Sequence, residues 1–565
     1  MSLFDDASLV LIPDGAKDGT LYSVKPTDGT GDFTFTRGSN LAATRVDENG
    51  LIEKGRENIA LHSDWDDVGT GVAPTGWATY DPTFEAGDEV GQIRFNPTSS
   101  RGYIYQSLSI STGIYAFSVY CDSAPVGNTI SSIMAMYGVT NTEILWLEDG
   151  VSIDNGTIIS AGKRYTSVFN VTSSGTAIIR IGAGTTGNTT ADFTLSRPQL
   201  EQGLVATDYI ETGASTAQAG ILEDLPRIDY SGGASCPALL LEPQRTNVAV
   251  SSEIFNAATG SSIVLNNTAS PDGYVSADKL VEDTSTGVHL TTVGGFLGGS
   301  VDSSLYTVSV FAKAAGRTRI QFFDNNQSSG GISAFDLANG VVISGSGKIE
   351  NYGNGWYRCI IFAVKDNSTT SNCQIRLIST GTTTSYTGDG TSGVFLWGKQ
   401  IEAGSYPTSY IPTYGSSVTR SIDTGSLNLV GAGINDGWTS GTIFIEFEKP
   451  YNNENTDAIR IRGDSLFGRA YIYNNGYGFA TDWSYSSNFT IGDNTKIIYR
   501  LNTLSTANLF KNGVKLAGAE GSGTAWSDIK YIYLNNQGGA KINIKQIVVF
   551  PTALTDSECI ALTTL

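Results

Sequence analysis

Short stretches in which every second residue is apolar recur along this chain, and helical periodicity is nearly absent. In I-Y-A-F-S-V-Y, Ile114 to Tyr120, the side chains of Tyr115, Phe117 and Val119 fall on one face. In T-I-F-I-E-F-E, Ile443, Ile445 and Phe447 share one face, and Thr442, Phe444, Glu446 and Glu448 the other. Successive side chains of a pleated strand point to opposite sides, so a period of two predicts β-structure. Gly, Asn, Asp, Ser and Thr punctuate the runs, which predicts antiparallel sandwiches or barrels. Asn512-Gly513 and Asn475-Gly476 each stand between apolar stretches and predict two-residue hairpins, because both positions of a type I′ turn need positive φ. One late helix is predicted: Thr555 to Glu558 has capping-box spacing ahead of Cys559-Ile560-Ala561-Leu562.

The chain repeats itself. L-I-E-K-G-R-E-N-I-A-L from Leu51 returns as L-L-E-P-Q-R-T-N-V-A-V from Leu240, an offset of 189. I-Y-A-F-S-V-Y from Ile114 returns as L-Y-T-V-S-V-F from Leu305, an offset of 191, and the motif around Gln199 returns around Gln400, an offset of 201. Ordered markers with slowly growing spacing predict a duplicated unit of about 150–170 residues, the size of one jelly roll. The repeated residues Arg56 and Arg245, Asn58 and Asn247, Gln199-Leu200-Glu201 and Gln400-Ile401-Glu402, and Tyr209-Ile210 and Tyr410-Ile411 are read as fastenings of the fold. The expected organisation is an N-terminal attachment or assembly segment (1–50), a first jelly-roll sandwich (51–215), a linker (216–239), a second sandwich duplicating the first (240–416) and a separate C-terminal sandwich (417–565). The first 50 residues lack a core of their own, so their strands must bury against the first sandwich or a neighbouring chain.

Composition narrows the function. The 565 residues include 40% hydrophobic and 16% charged residues, 66 glycines and a net charge of −20. Such a chain can build cores, and its acidity disfavours nucleic-acid binding. No apolar run approaches 18 residues, so membrane insertion is not expected, and the opening M-S-L-F-D-D lacks the features of a signal peptide. Five cysteines without CxxC spacing predict buried free thiols made in a reducing compartment, although Cys359 and Cys373 lie close enough in number to pair.

The opening segment, with L-V-L-I-P-D-G and L-Y-S-V-K-P-T-D-G-T-G-D-F-T-F-T-R, resembles appendage proteins of tailed bacteriophages. G-N-G-W-Y-R-C at Gly353 and Q-I-E-A-G-S-Y-P-T-S-Y-I-P-T at Gln400 look like modules of phage tail and fibre proteins, which are similar to carbohydrate-binding-module jelly rolls. The last block, with L-F-K-N-G-V-K-L and K-I-N-I-K-Q-I-V-V-F-P-T-A-L-T-D-S-E, resembles concanavalin A-like, laminin-G-like lectin domains. The resemblance implies an all-β fold with two duplicated jelly rolls and a concanavalin A-like sandwich. It also implies a virion protein, assembled in the host cytoplasm as a homotrimer. The N-terminal segment would meet other virion proteins and the sandwiches a cell-surface glycan.

Candidate chemistry favours binding over catalysis. The two histidines, His62 and His289, fall in different repeat units with no evident partner and are read as surface or loop residues. Glu446 and Glu448 share a strand face, but I-F-I-E-F-E-K-P lacks the central Asp and further Glu of the E-x-D-x-E strand of concanavalin A-like glycosidases. They are read as solvated edge carboxylates. Aromatic rings pack against sugar C–H faces, which makes Trp483, Tyr485 and Tyr473 the expected glycan-binding residues. Trp65 and Trp77, beside a Gly-rich loop, are a more distant choice, and Trp356 and Trp397 are read as core. No cofactor is required. A structural calcium ion is compatible with Asp47-Glu48-Asn49-Gly50 or Asp324-Asn325-Asn326, though neither has EF-hand spacing and turn chemistry explains both. The expected function is adhesion to glycan without catalysis. The alternatives are a capsid-decorating or connector protein with no glycan ligand, and a tail-borne glycan depolymerase.

Overall fold

The computed structural model describes residues 3–38, 41–81, 83–96, 102–124, 127–183, 192–231, 235–256, 258–295, 305–324, 332–364, 372–430, 439–451, 458–463, 468–472, 477–479, 494–503, 506–516, 521–522, 529–535 and 541–564. Among them the protein is all-β and antiparallel, with helix confined to Ile130–Ile133, Asp556–Thr563 and one 3-10 turn at Leu3–Asp6. The C-terminal helix forms where the capping box predicts it: Glu558 N–H donates to Thr555 Oγ1, and Thr555 N–H donates to the Glu558 carboxylate. Asn512 (φ 46°) and Gly513 (φ 79°) turn the predicted hairpin. The strands Gly468–Ile472 and Tyr477–Phe479 pair, while Asn475-Gly476 between them lies outside the described residues.

The duplication is structural as well as sequential. One sheet of the first sandwich runs Phe84–Ala86, Gln92–Phe95, Phe193–Gln202, Gly113–Ser123, Lys163–Val171, Asn141–Glu148 and Val151–Ile153. In the second sandwich Ser261–Ala269, Val275–Glu282, Gly393–Ala403, Leu305–Ala315, Tyr357–Val364 and Lys348–Asn351 take the first six places of that order. The opposing sheets are Ala78–Tyr80, Gly102–Ile110, Gly175–Ala183 and Met134–Tyr137 in the first sandwich. In the second they are Leu290–Gly295, Asn372–Ile378, Arg319–Asp324, Ile332–Asp336 and Val341–Ser344. The repeated polar residues hold these copies together. Asn58 donates to Pro198 O and Ile210 O and accepts from the N–H groups of Ala60 and Leu200. Gln199 accepts from Ile210 N–H and donates to Glu201, which receives the N–H and hydroxyl of Thr207. Gln400, Glu402, Thr408 and Ile411 repeat that pattern. The fastening falls to the asparagines; the half-buried Arg56 donates to the Tyr274 hydroxyl and pairs with Asp208, and Arg245 stacks on Tyr406.

The sandwiches are not beads on a string. Ile114, Ala116, Leu145, Leu147 and Val168, on the outer face of the larger first sheet, join Leu204 and Val205 in a cluster that Ile254, Leu265, Tyr274 and Tyr414 complete. Both faces of Ile114–Tyr120 are therefore buried, which is why the run is apolar at nearly every position. The hairpin formed by Thr44–Val46 and Ile52–Lys54 crosses to the second sandwich, where Ile52 packs with Phe311, Trp356, Trp397 and Tyr410. Lys54 is buried there against Glu253 (3.2 Å) and Asp272 (3.0 Å).

The N-terminal segment does not cover the first sandwich or wait for a neighbouring chain. Leu9–Leu11 pairs with Ile542–Phe550, and Phe33–Thr36 pairs with Thr424–Asn428. The segment thus contributes to both sheets of the third sandwich, and Leu9, Leu11, Phe33 and Phe35 share one core with Ile443, Ile445, Phe447 and Ile547. Ala238–Leu241 joins the same sheet beside Ile542–Phe550. Alternating apolar residues with no partner nearby in sequence find one at the open edges of that sandwich, where each edge otherwise presents unpaired backbone groups. Where these pieces meet, Arg37, Arg227, Arg420, Glu242 and Asp423 are all fully buried. Arg227 bonds to both Glu242 and Asp423, Arg420 to Glu242 (2.7 Å) and Arg37 to Asp423 (3.3 Å). Burial acts to raise the Glu242 pKa, but Arg420, Lys541 and Arg227 outweigh it and hold the carboxyl well below its usual range.

Candidate ligand-binding face

The smaller sheet of the first sandwich turns one face to the core and the other to solvent. Along Gly102–Ile110, Ile104, Leu108 and Ile110 point inward, and Tyr103 and Tyr105 point outward. Tyr80, on the neighbouring strand, lies opposite Tyr103, and the two rings stack with centroids 5.1 Å apart and 10° between planes. Across Tyr103 on its other side, Arg180 places its guanidinium carbon 5.0 Å from the Tyr103 ring centroid and 5.1 Å from that of Tyr137. Tyr80, Tyr103, Arg180 and Tyr137 thus form a row across all four strands, roughly 14 Å at about 4.8 Å per strand. Tyr80 is 48% exposed and Tyr137 46% exposed. Large aromatic side chains kept in solvent on the outer face of a sheet mark a contact surface.

A concavity of about 720 Å³ opens where the hairpin formed by Thr44–Val46 and Ile52–Lys54 meets the second and third sandwiches. Arg45, Glu350, Tyr352, Glu448, Tyr451 and Lys541 are among its lining residues. Its polar groups are largely spoken for: Tyr451 donates to Glu350 and stacks on Tyr406, Arg45 pairs with Glu53, and Lys541 pairs with Glu242.

The residues singled out from the sequence lie elsewhere. Trp483, Tyr485 and Tyr473 are outside the described residues. Trp65 and Trp77 meet edge to face, 5.5 Å apart, inside the first core and offer no platform to a ligand. Trp356 and Trp397 are buried, as read. His289 is not at the surface: it is fully buried, its ring nitrogens contacting Gly260 O (2.5 Å) and Tyr386 O (3.2 Å), with Asp283 3.5 Å away. Glu446 and Glu448 are not on an edge, because Gly441–Glu448 is paired on both sides. Glu446 accepts from Asn494 and Gln546, both at 2.6 Å, so its oxygens are engaged within the sheet. Among the described residues no group of three or more His, Cys, Asp or Glu side chains gathers as a metal site. Asp47 instead caps its own turn, accepting from the N–H groups of Asn49 and Leu51. Asn325 and Asn326 lie outside the described residues. The tyrosine row had a sequence signal: in G-Y-I-Y-Q-S-L-S-I the aliphatic residues take one face and two tyrosines the other, where an ordinary solvent face would be polar.

No family model matches this chain, and no curated protein does. Similar solved structures include the CBM40 module of a Ruminococcus gnavus sialidase bound to α2,3-sialyllactose (19% identity, 24% of this chain and 88% of that one, TM-score 0.19). They also include the CBM22 tandem of Paenibacillus barcinonensis Xyn10C (10% identity, 65% and 99%, TM-score 0.19) and Trypanosoma rangeli sialidase (10% identity, 94% and 98%, TM-score 0.21). At TM-scores this low the likeness carries no argument, and the class is defined by the strand pairing itself: an all-β protein of tandem antiparallel sandwiches.

Proposed function

We propose that this chain is a glycan-binding adhesion protein carried on a tailed-bacteriophage particle as a tail or head fibre or appendage. The observation that carries the binding half of this reading is the row on the outer face of the smaller sheet, in which Tyr80 and Tyr137 are exposed and Tyr103 lies half-buried between them. Tyrosine rings pack on sugar C–H faces while their hydroxyls bond sugar hydroxyls. The virion half rests on the resemblance of the opening and closing motifs to phage appendage proteins. One shallow site binds weakly, and a trimer displayed in several copies raises avidity by about 10²–10⁴. Because residues 9–36 supply strands to the third sandwich, attachment to the particle is assigned to another face of the protein.

The test is a glycan array probed with the full chain and with Tyr80→Ala and Tyr137→Ala. Both side chains are half-exposed, so the variants are expected to fold and to lose binding together. A folded chain that binds no glycan would leave a decorating or connector role. Release of reducing ends from a bound polysaccharide would replace adhesion with depolymerisation. Antibody labelling of particles tests the location.

A further inference from the structure

The tyrosine row is built around a positive charge that no carboxylate among the described residues answers. Arg180 is only 4% exposed, its Nε is buried without a hydrogen-bond partner, and no carboxylate among the described residues pairs with it. Its contacts are the rings of Tyr103 and Tyr137. Arg227 pairs with Glu242 and Asp423, Arg317 with Glu282 and Arg94 with Asp192, while the buried Arg164 and Arg358, which pair with no acid among the described residues, bond to hydroxyl and carbonyl oxygens. Arg180, by contrast, is buried with neither an ion pair nor a hydrogen bond among the described residues.

The second sandwich repeats the device. Arg376 holds the position of Arg180: it lies opposite Gln321 as Arg180 lies opposite Ala135, and Phe323 stands opposite Gln374 as Tyr137 stands opposite Ile178. Arg376 sits 3.5 Å from the Phe323 ring centroid and donates to Gln374 Oε1 at 2.9 and 2.7 Å. Burial lowers its pKa, and it forms no ion pair among the described residues. A cation seated on an aromatic ring therefore survives on both outer sheet faces although the tyrosines of the first do not.

We infer that the saccharide taken by the sheet face is anionic: its carboxylate or sulfate docks on Arg180 while its ring lies along the tyrosine row. This rests on the glycan-binding reading and adds the charge of the ligand. A guanidinium held between rings is preorganised and already largely desolvated, so a carboxylate reaching it forms a charge-assisted hydrogen bond at little ordering cost. The net charge of −20 opposes an acidic ligand at long range, but the Debye length of about 8 Å at physiological salt leaves the contact itself to decide.

The experiment measures affinities of the full chain for matched pairs: sialyllactose against lactose, and oligogalacturonate against neutral galactan fragments. The acidic member is expected to bind about tenfold tighter, with the preference shrinking as salt is raised. Arg180→Gln is expected to bring the ratio of acidic to neutral affinity to about one, whereas Tyr137→Ala weakens both members and keeps the ratio. Equal binding of acidic and neutral partners, or a preference that survives Arg180→Gln, overturns the inference while leaving glycan binding standing. Binding of no saccharide by the folded chain overturns both. If Arg180→Gln fails to fold, the pairwise comparison and its salt dependence on the unaltered chain decide the matter alone.

Discussion

Arg37 and Asp423 lie 386 residues apart in sequence and meet as a fully buried ion pair at 3.3 Å. The contact closes the chain on itself: the first forty residues are part of the sandwich formed by the last hundred and fifty. Asp423 also receives Arg227 and the N–H of Glu242, so one carboxylate joins the N-terminal segment, the link between the repeats and the C-terminal sandwich.

Removing that carboxylate leaves Arg37 in the interior without an acid and Arg227 with Glu242 alone. Asp423→Ala is expected to cost about 3–5 kcal/mol, measured by urea denaturation. A chain lacking residues 1–37 loses the strands Leu9–Leu11 and Phe33–Thr36 from the third sandwich, and limited proteolysis is expected to degrade residues 417–565 first. Survival of that block as a protected fragment would contradict the shared core.

Asn58 and Asn247 each hold four backbone groups in their own sandwich. Truncation to alanine strips partners from buried N–H and C=O groups, and each variant is expected to lose about 2–4 kcal/mol. The two losses should be similar. A loss below about 0.5 kcal/mol at either site would show that the repeated asparagines are not the fastenings described.

Asp278 is buried, and burial pushes its carboxyl up to about 7 against the opposing pull of the Phe255 and Asn266 N–H groups. A folded pKa above the unfolded value of 3.8 means that the folded state favours the protonated form. That contribution is complete below 3.8 and is lost as pH rises through about 7. Asp278→Asn, which is uncharged throughout, is expected to show a flatter melting temperature than the parent over this window. Parallel profiles for the two proteins would remove Asp278 as the cause.

Cys236 is exposed, whereas Cys121, Cys359, Cys373 and Cys559 are buried and free. Burial pushes the Cys121 thiol up to about 12 and that of Cys559 up to about 11, so neither supplies thiolate near neutrality. Ellman's reagent is expected to titrate one thiol in the native protein and five after denaturation. A native count above one would mean that the interior opens on the timescale of the assay.

The alternation of I-F-I-E-F-E, the Asn512-Gly513 turn, the capping box at Thr555 and the doubled motifs set the strands, the hairpin, the helix and the duplication, because each is written in neighbouring residues whose backbone geometry is local. Burial of the repeated Asn, Gln and Glu also follows from their recurrence at matching positions. Where the other segments come to rest does not. L-V-L and F-T-F-T announce strands, but their partners stand hundreds of residues away, and many sheet edges satisfy the same period of two. The ligand face was obscured for a related reason. Tyr80, Tyr103, Tyr137 and Arg180 sit on four strands that are separate in sequence, and only lateral pairing sets them in one row. Sequence therefore determined which residues face which side of each strand, through side-chain alternation. Tertiary structure decided which sides stay in water, because a sheet face is covered or left open by other parts of the chain.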